Sequence, residues 1–188
     1  MGDHLVAGFI VGSEIGLWVL LGIGLTLRYL IRLRRASTVV LALIPLLDVV
    51  LIVATAIDLR SGTAAGGTHG LAATYLGFSV AFGPALVRWA DVRFAHRFAG
   101  GPPPVKPPKR GPARQRHLWL EWRRVVVAAA ISSVVLVGLV AFIAAPAQDP
   151  VLISWIGRVW AVAGLWLVFG PLWELGRNSA TPAGSSVR

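Results

Sequence analysis

The sequence predicts an all-α integral membrane protein, a bundle of about five transmembrane helices, and three observations carry that prediction. The composition is 56% hydrophobic and only 14% charged, with eight Trp and a mean hydropathy of +0.72. Soluble domains are more polar than this. Five stretches reach the roughly 20 apolar residues needed to cross a hydrocarbon core of about 30 Å: 5–27, 39–57, 69–87, 125–145 and 151–173. Finally, sixteen of the 18 Lys and Arg fall in alternate connections or in the tail.

That last pattern reinterprets the charge. A net charge of +10 and a pI near 11.7 would suggest nucleic acid in a soluble protein. Here the basic residues sort by side: Arg28, Arg32, Arg34 and Arg35 after the first span, ten between Arg88 and Arg124, and Arg177 and Arg188 at the end. The opposite connections hold only Arg60, and Arg158 lies inside the fifth span. The positive-inside rule then sets the N-terminus outside and the C-terminus in the cytoplasm of a multi-pass inner (plasma) membrane protein. Its partners are the lipid bilayer and anionic headgroups at the cytoplasmic face, and no nucleic acid. The chain has no cysteine, so disulfide and thiol chemistry are excluded.

The first span lacks the basic leader of a secretory signal and carries its arginines afterwards, so it is expected to be retained as a helix. Gly8, Gly12 and Gly16 recur every four residues and form a flat ridge of the kind that lets two helix backbones approach closely. Glu14, two residues from Gly12 and Gly16, projects from the opposite face. The second span holds Asp48 near its middle, with Thr55 on the same face. Asp58 and Arg60 end it, and His69 opens the third span across a short Gly- and Ser-containing connection. A structural bond or cap is the simpler reading of that polar cluster. A metal or proton site including His4 is the alternative.

The third span repeats the two-faced pattern, with Ala73, Gly77 and Ala81 on one side and Thr68, Tyr75 and Ser79 on the other. Two such helices can satisfy each other internally or meet a second copy or another membrane protein. Residues 88–124 form a basic, proline-rich cytoplasmic segment, RWADVRFAHRFAGG followed by GPPPVKPPKRGP. Its prolines favour an extended polyproline strut over Pro102–Pro112. Trp89, Phe94, Phe98, Trp119 and Trp122 interleave with arginines on either side, as befits a membrane interface. The link from Ala145 to Pro150 only turns the chain, so the fourth and fifth helices should be antiparallel neighbours. Residues 174–188 read as a flexible tail.

Three stretches, LLDVVLIVATAIDLRSG from Leu46, HGLAATYLGFSVAFG from His69 and RWADVRFAHRFAGGPPP from Arg88, resemble the YmcC-like integral membrane proteins of bacteria. The resemblance implies an integral membrane protein and brings no activity, cofactor or catalytic residue with it. Where that pattern often has a histidine, this chain has Pro84, so no histidine-based role carries over.

No HExxH, CxxC, GxSxG or Walker-type loop is present, and neither a catalytic residue, a metal site nor a cofactor is expected. Charge within a span needs a partner, a proton or a cation. By depth, Glu14, Asp48 and Arg158 are expected to form one buried polar centre. Three function classes follow, in this order: a non-catalytic assembly factor or accessory subunit of a membrane complex; a proton- or cation-linked carrier or channel built on Glu14, Asp48 and Arg158; a membrane-embedded enzyme acting on lipid or quinone.

Overall fold

The computed structural model describes the backbone of residues 2–31, 33–108 and 110–179, with all their side chains except those of 2–7, 9, 10, 13, 14, 17, 34, 42, 45, 178 and 179. Within these residues the chain is helical, with no strand. The helices are α1 (Gly2–Tyr29), α2 (Arg34–Arg60), α3 (Gly67–Phe98), α4 (Gly111–Phe142), α5 (Asp149–Leu167) and α6 (Trp173–Ser179), and a π-helical turn, Val168–Leu172, joins the last two. Helices are the expected outcome in lipid, where every backbone N–H and C=O must be satisfied within its own segment. Stretches 35–60, 67–98, 111–142 and 149–177 are each long and apolar enough to cross a membrane, and α1 contributes a further apolar stretch, Trp18–Tyr29. The bundle therefore has four to five apolar helices.

α3 and α4 differ from the sequence expectation in length. α3 runs on to Phe98 instead of ending at 87, and α4 begins at Gly111 instead of 125. Each has 32 residues, which at about 1.5 Å per residue is far more than the roughly 30 Å of a hydrocarbon core. A scan for apolar runs locates where hydrocarbon ends, whereas the helix continues into the arginine-rich interface. Gly100, at φ +65°, stops α3, and the N–H of Gly101 turns back to the carbonyl of Ala95 at 3.0 Å. The His96 ring donates from Nδ1 to the Gly101 carbonyl at 2.9 Å. The non-helical strut is thus confined to the stretch between Phe98 and Gly111, described over 99–108 and at 110, and Pro112 lies in the first turn of α4, where its missing N–H costs no helical bond.

α5 itself stops at Leu167, short of the predicted 173, but helical structure continues past that point. Pro171 has no N–H and crowds the preceding turn, and the chain widens there into the π-helical turn before resuming as α6. Gln115 donates to the Pro171 carbonyl at 3.0 Å, and Arg114 donates to Glu174 at 3.2 Å. Residues 174–179 are therefore docked helix, where a flexible tail was expected. The remainder of that segment lies outside the described residues.

Packing places α3 at the centre, in contact with α1, α2, α4 and α5, while α1 and α2 pair along their length. Small side chains make the close approaches. Ala73 packs with Leu136, Leu139 and Leu152 at one level, and Val125 and Ala129 pack with Val159 and Ala163 at another. These levels run in opposite senses along α4 and α5, and Trp122 donates to the Ala163 carbonyl at 3.1 Å. The two helices are the antiparallel neighbours expected. Phe142 is 80% exposed and Val134 72%. Apolar side chains so exposed on a span face lipid.

Candidate functional site

The densest polar cluster lies at the arginine-poor end, where the α2–α3 turn meets the α4–α5 link. His69 occupies the third helical position of α3 with 0% exposure. Its Nδ1 accepts the backbone N–H of Gly66 at 3.1 Å, which fixes the tautomer. The proton must then be on Nε2, which donates to Asp58 Oδ2 at 2.9 Å. The second carboxylate oxygen accepts from Thr63 Oγ1 at 3.0 Å, and Ser61 donates to the Asp58 carbonyl at 2.7 Å. Beside His69, Gly70 lies directly beneath the Trp155 ring of α5, leaving no room for a side chain.

Gln148 completes the cluster. It donates to the carbonyls of Leu59 and Thr63 at 3.1 and 2.6 Å, and accepts from the N–H of Ala145 at 2.7 Å. One amide thus binds the end of α2, the following turn and the α4–α5 link. Asp58 and His69, which the sequence sets on either side of one short connection, are in direct contact, and Gln148 had no place in the sequence reading. An amide held between Pro146 and Pro150 in a link too short to do more than turn the chain is the signal that could have marked it. Arg60 is exposed, outside the hydrogen bonds described for this group.

Chemically the cluster is closed. Both imidazole nitrogens are engaged, one as acceptor and one as donor, so no lone pair is presented to a metal while these bonds hold. Among the described residues, no group of three or more His, Asp or Glu is arranged to hold a metal ion. His4 lies outside the described side chains.

Of the three residues expected in one buried centre, Asp48 is buried at 2% exposure and accepts from Ser79 of α3 at 2.6 Å. Arg158 is exposed on α5, its guanidinium 4.9 Å from the centre of the Trp155 ring. The side chain of Glu14 lies outside the described residues. The described contacts therefore give an α2–α3 pair, Asp48 with Ser79, and hold Arg158 on an aromatic face instead. Depth alone put the charges at similar levels, but α5 packs mainly on α4, across the bundle from the face of α2 that carries Asp48.

The small-residue positions divide as well. A Cβ at Gly77 would meet Ser132 and the Ala128 carbonyl of α4, and one at Gly16 would meet Leu47 of α2 at 2.9 Å. Ala73 is fully buried and Ala81 half-buried. A Cβ added at Gly8 or Gly12 would meet nothing within 4 Å among the described residues.

At the arginine-rich end, Glu174 is held by Arg114 and Arg177, Asp91 by Arg28 at 3.6 Å, and Glu121 by His117 at 3.2 Å. Arg93 stacks on Trp89 at 4.0 Å from the ring centre, and Trp119 meets Trp122 edge to face. These are the geometries of an interfacial belt.

The fold and its internal polar ties define a multi-pass helical membrane protein. Over 158 residues the chain is 35% identical to the uncharacterized membrane protein YmcC of Bacillus subtilis (strain 168), and the match covers 84% of each chain. The chain belongs to the YmcC-like family of membrane proteins. No family model matches it, and no solved structure does.

Proposed function

We propose that this protein is a non-catalytic subunit of the plasma membrane, an assembly factor or accessory subunit that offers a helix face to another membrane protein. The observation that carries this reading is the glycine ridge of α1. Its Gly16 end is filled by Leu47 of α2, while Gly8 and Gly12 open on empty space beside exposed Val11, Ile15 and Trp18. A flat ridge gains van der Waals contact from a second helix that flexible lipid chains supply less well. The closed cluster around His69 supports the non-catalytic part, since its donors and acceptors are spent on holding helix ends together.

A photo-crosslinking residue at Gly12 should capture one discrete membrane protein, this chain or another, in native membranes. The same probe at Val134, exposed on α4, should capture none. Equal, diffuse labelling from both positions would defeat the proposal. A second reading, a proton- or cation-linked carrier, rests on Asp48, a buried carboxylate whose described partner is one hydroxyl. A pH-driven flux in liposomes that Asp48→Asn abolishes would replace the first reading with this one.

The proposed threading places the arginine-rich end, with residues 99–110, in the cytoplasm and the His69 cluster outside. The cysteine-free chain makes a clean test. Single cysteines at exposed Ala64 and at Val105, which is 96% exposed, should react with an impermeant maleimide only from outside and only after lysis, respectively. Reaction of both on intact cells would refute the orientation.

A further inference from the structure

The arginine-rich end holds more positive charge than its own acids use. Among the described residues there, Asp91, Glu121 and Glu174 are each already paired, with Arg28, His117, and Arg114 and Arg177. Among the described residues, Arg123 and Arg124 have no ion-pair or hydrogen-bond partner. Both line one cleft of about 250 Å³ whose other walls are Leu120 and Val127 of α4 and Ala81 of α3. The cleft exists because Ala81 is small where α3 passes α4.

Depth adds a second constraint. Trp119 and Trp122, packed edge to face, lie within the turn that leads into the arginines, and Val125, Ala128 and Ala129 follow as bundle core. Tryptophans mark headgroup level. Two guanidiniums next to them, at the rim of the hydrocarbon, must find an anion at that depth or bend away from it. A soluble anion would meet apolar walls below the charges and gain nothing from them. A phospholipid would place its phosphate on the guanidinium forks and one acyl chain along Ala81, Leu120 and Val127.

The geometry points to a discrete binding site for one anionic phospholipid in the α3–α4 cleft, with Arg123 and Arg124 gripping the phosphate. The site is independent of the subunit reading and stands or falls separately from it. Its test is retention of phosphatidylglycerol against phosphatidylcholine by the full chain taken from mixed nanodiscs into mild detergent, counted by native mass spectrometry. The intact protein should keep a single phosphatidylglycerol and discriminate against phosphatidylcholine.

Each basic residue near an anionic surface is worth roughly fivefold in affinity. The double variant Arg123→Gln/Arg124→Gln should therefore lose about twenty-five-fold. Ala81→Leu, which fills the cleft without touching charge, should lose the lipid as well. Arg88→Gln/Arg97→Gln removes the same charge from exposed positions on α3 and should retain it. Equal losses from the two arginine pairs would reduce the effect to a diffuse field and overturn the site. Unchanged retention in Ala81→Leu, or displacement of the lipid by millimolar inorganic phosphate, would overturn it too.

Discussion

Replacing Gly77 by alanine should destabilise the bundle by about 3 kcal/mol, the upper range for overpacking a well-filled core. The added methyl would stand 2.5 Å from the Ala128 carbonyl and 3.0 Å from the Ser132 backbone nitrogen, besides striking the Ser132 hydroxyl. A side chain can swing away from such a contact. Helical backbone cannot, so α3 and α4 would have to separate along the face that also carries Ala73, Leu136 and Leu139. Gly138→Ala on α4 is the matched control, because nothing lies within 4 Å of its new methyl. It should be neutral or gain a few tenths of a kcal/mol from helix propensity, up to about 1. Reversible unfolding in mixed micelles reads both, and a Gly77→Ala protein as stable as the control would show that α3 and α4 do not meet at this point.

Gly77 was legible in the sequence because backbone approach has a local signature, small residues at every fourth position. The same pattern at Gly8, Gly12 and Gly16 did not say which helix, if any, fills the groove. That depends on how α1 is placed against α2, and the fit of Leu47 to Gly16 has no sequence mark. Apolar runs fall largely within helices for a related reason: the hydrocarbon thickness imposes a minimum apolar length. They could not locate the ends of α3 and α4, since beyond the hydrocarbon a helix is set by caps and contacts. Gly100 ends α3 only in combination with the bonds from Gly101 and His96.

The buried charges show a different limit. Asp48 was recognisable as costly from its depth, but its partner is Ser79, 31 residues away on a neighbouring helix. An arginine at similar depth looked the better match on charge. Neighbourhood decides the pairing, and α5 stands against α4, with Arg158 turned onto Trp155. The Asp58–His69 pair was easier because both lie at the ends of one short turn, where the chain itself brings them together.

That pair supports the second large expectation. His69→Phe should cost about 3 kcal/mol although it conserves volume. The substitution removes the acceptor for the Gly66 N–H and the donor for Asp58 Oδ2, and leaving either group unsatisfied in a buried site costs about 1–3 kcal/mol. Asp58→Asn makes the opposite case. Its carbonyl oxygen can still accept from His69 Nε2, while its amide turns to the Thr63 hydroxyl, which then accepts where it formerly donated. The loss should stay below about 1 kcal/mol, the scale of one neutral hydrogen bond. Hydrogen exchange supplies a local readout: the Gly66 amide should be protected in the intact protein and in Asp58→Asn, and should exchange freely in His69→Phe. Because Gln148 hangs on the carbonyls of Leu59 and Thr63 in the same turn, the Ala145 amide should lose protection along with Gly66. If His69→Phe leaves both amides protected and stability unchanged, the imidazole is not the pin of this turn. Zinc ions should leave the unfolding transition of the intact protein where it was, since both ring nitrogens are engaged within the chain. A zinc-dependent rise in stability that His69→Phe removes would instead make the cluster a metal site and reverse the structural assignment.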